Sequence, residues 1–95
     1  MSPDEAAALV KEELVETLAQ RAPGGTSLRV ISVEPPPANL GPDTCFQLLL
    51  SNTERRPASI RVALPTTLAI GYLADEEAAV DEWRNWVHQL LERYA

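Results

Sequence analysis

The chain has 95 residues, of which 45% are hydrophobic and 23% charged, and its formal net charge is −6. This length suits one domain with a core that is stable without disulfides or metal, and the composition argues against wholesale disorder. We therefore predict a single small domain over residues 1–95. One cysteine cannot form an internal disulfide and no apolar run is long enough to span a bilayer, so we expect the protein in the cytoplasm.

The first predicted element is a helix. Ser2 suits the N-cap, Pro3 the first turn and Glu5 the third helical position of a capping box. Residues 23–25, Pro-Gly-Gly, should end the helix. Its predicted apolar face is broad and mostly alanine, so we expect shallow packing or close approach of another backbone. The residues on that face are Ala7, Ala8, Val10, Leu14, Val15, Leu18, Ala19 and Ala22.

Three strands are predicted next. Leu28–Val33 is rich in β-branched residues, and three prolines follow it. Cys45–Leu50 and Ser59–Leu64 alternate between apolar and other residues, and a polar hairpin connection at 52–57 joins them. Leu68–Tyr72 fits either a fourth short strand or a helical turn. The predicted inward side chains of the second and third strands are Phe46, Leu48, Leu50, Ile60, Val62 and Leu64.

The last predicted element is a strongly amphipathic helix, with Asp75 as its expected N-cap. Trp83 lies near the middle of the apolar arc and should be buried in the core. Trp86 lies at the edge of the arc, where we expect a half-exposed ring, and His88 lies on the polar side. The whole apolar arc comprises Ala79, Val80, Trp83, Trp86, Val87, Leu90, Leu91 and Tyr94.

The element order α-β-β-β-(β)-α predicts an α+β two-layer sandwich, with an antiparallel sheet of three or four strands and two helices on one face. Double-stranded RNA-binding domains share the order, but they grip phosphate with lysines at the start of the second helix. This chain has Asp75, Glu76 and Glu77 there. We therefore expect no nucleic-acid partner and no binding to anionic membranes.

Candidate chemistry is sparse in this sequence. Cys45 lies in a predicted strand, where a free cysteine behaves as a small hydrophobe, and His88 lies on a solvated helix face. We predict that the two are chemically inert. The sequence has no zinc-ligand spacing and no loop that brings carboxylates together. We therefore expect no catalytic residue, no cofactor and no metal site.

These observations favour a non-catalytic protein–protein interaction module, such as an adaptor, assembly factor or chaperone-like subunit, that self-associates as a homodimer. Residues 1–25 carry two basic and five acidic residues, a net −3, and residues 73–95 carry two and six, a net −4. A basic partner would be attracted. The candidate partner-binding residues are Trp86, Arg93 and Glu82 on the last helix and Glu12 and Glu16 on the first.

The alternative is a small-molecule-binding or enzymatic domain whose site forms at a subunit boundary. Such a site would use carboxylates from the proline-rich loop region, such as Glu34 or Asp43. A bound ligand or a deep polar pocket would favour it.

Overall fold

Three helices and three strands make up the fold in the computed structural model, which describes residues 1–37 and 39–95. In chain order they are α1 (Pro3–Arg21), β1 (Arg29–Glu34), β2 (Cys45–Ser51), β3 (Ser59–Pro65), α2 (Thr66–Leu73) and α3 (Glu77–Tyr94). The predicted α+β fold is confirmed. Within these two ranges, no helix is long and apolar enough to cross a bilayer.

The sheet has the order β1-β2-β3, and both neighbouring pairs are antiparallel. The period-two pattern of β2 and β3 produces one buried face, because successive side chains in a strand point to opposite sides. The predicted inward residues of the two strands are buried or half-buried: Phe46, Leu48, Leu50, Ile60, Val62 and Leu64. They form the core with the apolar faces of the helices.

The segment Leu68–Tyr72 belongs to α2 and does not form a fourth strand. Pro65 ends β3, and the chain turns at once into a short helix that packs against α3. Gly71 permits this close packing, since a Cβ atom built there would lie 2.8 Å from Cβ of Ala79. The helical alternative for this segment is therefore correct.

The prediction that Asp75 caps α3 is wrong. α3 begins at Glu77, and Glu76 occupies the N-cap. Asp75 instead follows α2 with a left-handed φ of 59°. Its N–H donates to the Tyr72 carbonyl and the Glu76 N–H donates to the Gly71 carbonyl, each at 3.0 Å. This is the Schellman pattern, which ends a helix with one left-handed residue.

Glycine in place of Asp75 should raise the free energy of unfolding by about 0.5 kcal/mol, because an L side chain is disfavoured in the left-handed region. Urea unfolding would measure the change. Asp75→Asn is the matched control, since it removes the charge and keeps a side chain that tolerates this conformation. A glycine variant less stable than the asparagine variant would contradict the prediction.

The predicted apolar face of α1 is only partly correct. Ser2 caps the helix as predicted, with the Glu5 N–H donating to its Oγ at 3.2 Å. The buried residues are Ala6, Ala7, Val10, Leu14, Thr17 and Leu18, whereas Ala8, Val15 and Ala19 are exposed. The helix is rotated because Thr17 faces α3, where its Oγ1 accepts a hydrogen bond from the Trp83 indole at 3.0 Å. This rotation leaves Val15 at the surface.

The apolar arc predicted for α3 is confirmed. Four of its residues, Ala79, Trp83, Val87 and Leu90, are buried. The other four, Val80, Trp86, Leu91 and Tyr94, are half-buried. The segregation of apolar and polar residues along this helix therefore predicts its orientation on the core correctly.

Candidate interaction surface

A groove of about 430 Å³ lies between α1 and β1. Its floor is apolar, because Leu18 and Leu28 are both buried there. Val15 and Ala19 form the wall on α1, and β1 contributes its first two residues. All the lining comes from α1, the turn after it and the start of β1, and no residue of β2 or β3 contributes to it.

β1 is an edge strand of the sheet, so its backbone has a strand partner on one side only. Alternate residues of an antiparallel pair direct their N–H and C=O groups away from the partner strand. Either Arg29 or Val30 therefore directs these groups away from β2. A β-bulge follows at Ile31, where the register against β2 shifts. The bulge limits the regular edge beside the groove to the first part of β1.

Three large apolar side chains are exposed on the elements that form the groove, and one of them is Leu9 of α1, at 39%. Val15 on α1 and Ile31 on β1 are each 50% exposed. Single exposed apolar residues are ordinary on a protein surface. Here, however, Val15 is continuous with the buried apolar floor at Leu18, so the exposed area is part of a concave apolar surface.

The structure brings together two of the candidate partner-binding residues of α3. Trp86 is half-buried, and with Arg93 and Val62 of β3 it lines a shallow cleft of about 60 Å³. Glu82 is exposed on α3, one turn before Trp86. These three residues share one margin of α3, and the cleft, which only Trp86 and Arg93 of the three line, is small.

The other two candidates, Glu12 and Glu16, are exposed on α1. On a helix, residues three apart are surface neighbours, so Glu12 adjoins Val15 and Glu16 adjoins Ala19. Both carboxylates are on a different helix from Trp86, and neither lines the groove, whose lining includes the positively charged Arg29. The sequence shows these acids but gives no sign of the groove, because its periodicity puts Val15 and Ala19 on the buried face of α1.

The structure places Cys45 and His88 on opposite sides of the sheet. Cys45 is half-buried at the start of β2 and points to the face without helices, since its neighbour Phe46 points to the core. His88 is exposed on α3, with its Nε2 2.9 Å from Oε1 of Glu92. A thiol and an imidazole held apart in this way do not form a nucleophile–base pair.

A polar contact joins α2 to α1 through Tyr72. Its hydroxyl donates to Oε2 of Glu13 at 3.2 Å. Burial raises the pKa of Tyr72 above its ordinary value of 10.0, and the negative charges of Glu13 and Glu16 raise it further, while a hydrogen bond with Thr17 opposes the change. The phenol is thus kept protonated, as a donor that ties the two helices together.

This raised pKa predicts a loss of stability in alkaline solution. The unfolded chain releases the Tyr72 proton near pH 10.0, whereas the folded chain holds it to a higher pH. The stability that Tyr72 contributes to the folded state through this difference in pKa is complete below pH 10.0. It is lost as pH rises through the folded-state pKa. Urea unfolding at several alkaline pH values should show a shallower decline for Tyr72→Phe than for the unaltered chain. Parallel declines would contradict the prediction.

Within residues 1–37 and 39–95, no three His, Cys, Asp or Glu side chains are grouped closely enough to hold a metal ion. Comparison with protein-family models, with curated proteins and with solved structures gives no significant match. The surface of the molecule itself is the basis for a functional proposal.

Proposed function

We propose that this protein is a non-catalytic protein–protein interaction domain of the adaptor or assembly-factor kind. The groove between α1 and β1 supports this proposal most directly. It combines an apolar floor, a half-exposed Val15 and the free edge of β1 in one concave surface. Concave apolar surfaces of this kind mark sites of partner binding more often than isolated exposed residues do.

The charge distribution supports a basic protein partner. Glu12 and Glu16 are exposed on α1, and the chain as a whole carries a net charge of −6. The acidic start of α3 argues against a nucleic-acid partner, because phosphate would be repelled. The single, half-buried Cys45 is compatible with a reducing compartment, and we place the protein in the cytoplasm on that ground.

Affinity capture with matched surface variants tests this function. Val15→Glu puts a charge on the groove wall, and Leu9→Glu puts the same charge elsewhere on α1, where Leu9 is already 39% exposed. A partner that is retained by the unaltered chain and by Leu9→Glu, and lost with Val15→Glu, is the expected result. Partners retained equally by all three baits would contradict the use of this surface.

The proposal includes self-association through the α3 margin at Trp86, because a half-exposed tryptophan suits a symmetric contact. Light scattering should give a mass near twice the 10.4 kDa of the monomer. Trp86→Ala should shift the mass toward that of the monomer, and Arg84→Ala, an exposed change on the same helix, should not. A monomeric mass for the unaltered chain at about 100 µM would defeat this part of the proposal.

The two carboxylates that the small-molecule alternative invoked, Glu34 and Asp43, draw little support from the geometry. Glu34 shares a cleft of about 80 Å³ with Gln47 and Arg61 on the open face of the sheet, well below the roughly 300–1,000 Å³ typical of ligand pockets. Asp43 is exposed in the turn before β2. The two carboxylates that this alternative invoked are therefore not gathered around a deep pocket.

A further inference from the structure

We propose that the cleft between α1, the end of α2 and α3 binds a small organic anion, with its acidic group held by Arg21 and Arg84 and its apolar body against Tyr72 and Val80. The cleft has a volume of about 340 Å³, within the roughly 300–1,000 Å³ typical of small-molecule sites. It shares no lining residue with the α1–β1 groove, so this inference does not depend on the proposed interaction function.

The lining of this cleft is positive, although the chain as a whole is acidic. Two of the eight lysine and arginine residues of the chain, Arg21 and Arg84, line the cleft, and Asp75 is the single carboxylate among the lining residues. Two positive charges against one negative charge give the lining a net charge of +1, whereas the whole chain carries −6. A cleft with an excess of one sign of charge concentrates ligands of the opposite sign. The lining therefore selects an anion.

The two arginines are available to a ligand. Within residues 1–37 and 39–95, neither guanidinium makes an ion pair or a side-chain hydrogen bond, and the arginine that does make a hydrogen bond is Arg55. Asp81 lies three residues before Arg84, a spacing that permits a surface pair, yet no such pair forms. A guanidinium presents five N–H donors in a planar fork that matches the oxygens of a carboxylate or a phosphate. Both groups can therefore bind an acidic ligand without breaking an existing contact.

The helices that carry the two arginines are joined at the cleft itself. Trp83 precedes Arg84 in the chain, and its indole N–H donates to Oγ1 of Thr17 at 3.0 Å. Thr17 lies one helical turn before Arg21, and both partners of this hydrogen bond are buried. The bond fixes the backbone of α1 relative to that of α3 before a ligand arrives. Such preorganisation lowers the cost of binding.

The more buried part of the lining is apolar and aromatic. Tyr72 and Val80 are half-buried lining residues, whereas Arg21 and Arg84 are exposed. Beneath them Trp83 is fully buried and stacks on Tyr72, with ring centroids 4.3 Å apart. Small-molecule sites typically combine such apolar walls with a few polar groups that fix the orientation of the ligand. A ligand with an apolar body uses both parts of the lining, and a bare inorganic ion uses only the arginines.

Titration of the full chain with benzoate and with phenyl phosphate, followed by NMR of the two indole N–H signals, tests this inference. Trp83 lines the cleft, whereas Trp86 lines a different one and serves as the internal control. Both anions should shift the Trp83 signal saturably and leave the Trp86 signal in place. Benzyl alcohol and benzylamine carry the same ring without a negative charge and should shift neither signal. Trp86→Phe assigns the two signals.

Variants of the charged lining residues should change the affinity in opposite directions. Arg21→Gln and Arg84→Gln should each weaken binding of both anions about tenfold, a loss of about 1.4 kcal/mol. Arg56→Gln makes the same change of charge at an exposed arginine outside the cleft and should alter the affinity by less than about twofold, because distant surface charges are screened. Asp75→Asn should strengthen binding about twofold, since it removes a repulsive charge from the lining.

Several outcomes would overturn the inference. These are shifts of equal size with the neutral and cationic probes, equal effects of Arg84→Gln and Arg56→Gln, and no saturable shift of the Trp83 signal with either anion at about 10 mM. Inorganic phosphate that binds as tightly as phenyl phosphate would indicate an adventitious ion only. Tighter binding of phenyl phosphate than of benzoate would support a phosphate ester as the ligand, and the reverse order would support a carboxylic acid.

One variant separates this inference from the proposed interaction function. Val15→Glu alters the α1–β1 groove and lies outside the cleft, so it should bind both anions within about twofold of the unaltered chain. Affinity capture that depends on Val15 while neither anion binds would leave the interaction function standing and defeat the anion site. Anion binding that depends on Arg21 and Arg84 while capture is independent of Val15 would have the opposite meaning.

Discussion

Replacing Trp83 with alanine is expected to lower the free energy of unfolding by about 3–5 kcal/mol, a large part of the 5–15 kcal/mol that stabilises a typical small domain. Trp83 is fully buried and is the largest such side chain in the described part of the chain. Its ring stacks on Tyr72, with centroids 4.3 Å apart and planes 8° from parallel. Its indole N–H also donates to Oγ1 of Thr17.

Urea unfolding measures the effect, and Trp86→Ala is the matched control on the same helix. Trp86 is only half-buried, so its loss should cost clearly less stability than the loss of Trp83. A free energy of unfolding for Trp83→Ala within about 1 kcal/mol of the unaltered chain would contradict the structure of this core.

A smaller substitution separates the hydrogen bond from the packing. Thr17→Val keeps the shape of the side chain and removes the acceptor of the Trp83 indole, leaving a buried donor without a partner. Such a loss costs about 1–3 kcal/mol. Combined with Trp83→Phe, which removes the donor, the Thr17→Val change should cost less than it does alone. Equal costs in both backgrounds would show that the two side chains are not coupled.

The sequence predicted most reliably those elements whose pattern is strong and local. The apolar arc of α3 and the alternation of β2 and β3 each repeat several times, and the structure follows them residue by residue. The prediction failed where residues outside the segment determine which of its side chains are buried. Thr17 is buried because Trp83, 66 residues further along the chain, needs an acceptor there. No local pattern in α1 shows this.

The boundary between α2 and α3 failed for a related reason. Aspartate is favoured both at an N-cap and in the left-handed position that ends a helix. Asp75 suits both roles, and the choice depended on whether the preceding segment was a helix. Because the sequence of Leu68–Tyr72 fits both a strand and a helix, it does not determine the position of Asp75.

The candidate surface was only half visible in the sequence. Glu12, Glu16, Trp86, Glu82 and Arg93 are polar or amphipathic residues on helix surfaces, and the structure places all five where a partner can reach them. The groove itself was missed, since it depends on the rotation of α1 and on β1 being an edge strand. Both are properties of tertiary packing, which the spacing of apolar residues in the sequence does not show.

Asn52→Ala is expected to lower the free energy of unfolding by about 2–3 kcal/mol, because it removes a buried side chain that satisfies two backbone groups. Asn52 begins the hairpin connection after β2 and is buried. Its Nδ2 donates to the Tyr94 carbonyl at 2.6 Å, at the end of α3. Its Oδ1 accepts the Glu54 N–H at 3.0 Å. Alanine leaves both the helix-end carbonyl and the loop N–H without these partners.

Thr53→Ala, an exposed change in the same connection, is the matched control and should alter stability by less than about 0.5 kcal/mol. Asn52→Asp should be at least as damaging as Asn52→Ala, since it loses the donor and puts a negative charge at the negative end of the α3 dipole. Urea unfolding gives the free energies, and faster hydrogen exchange in the last turn of α3 should accompany the loss. Exchange unchanged in that turn would show that the hairpin does not hold the end of α3. Because Asn52 joins the hairpin connection to the end of α3, the polar composition of residues 52–57 indicates a tertiary contact as well as a turn.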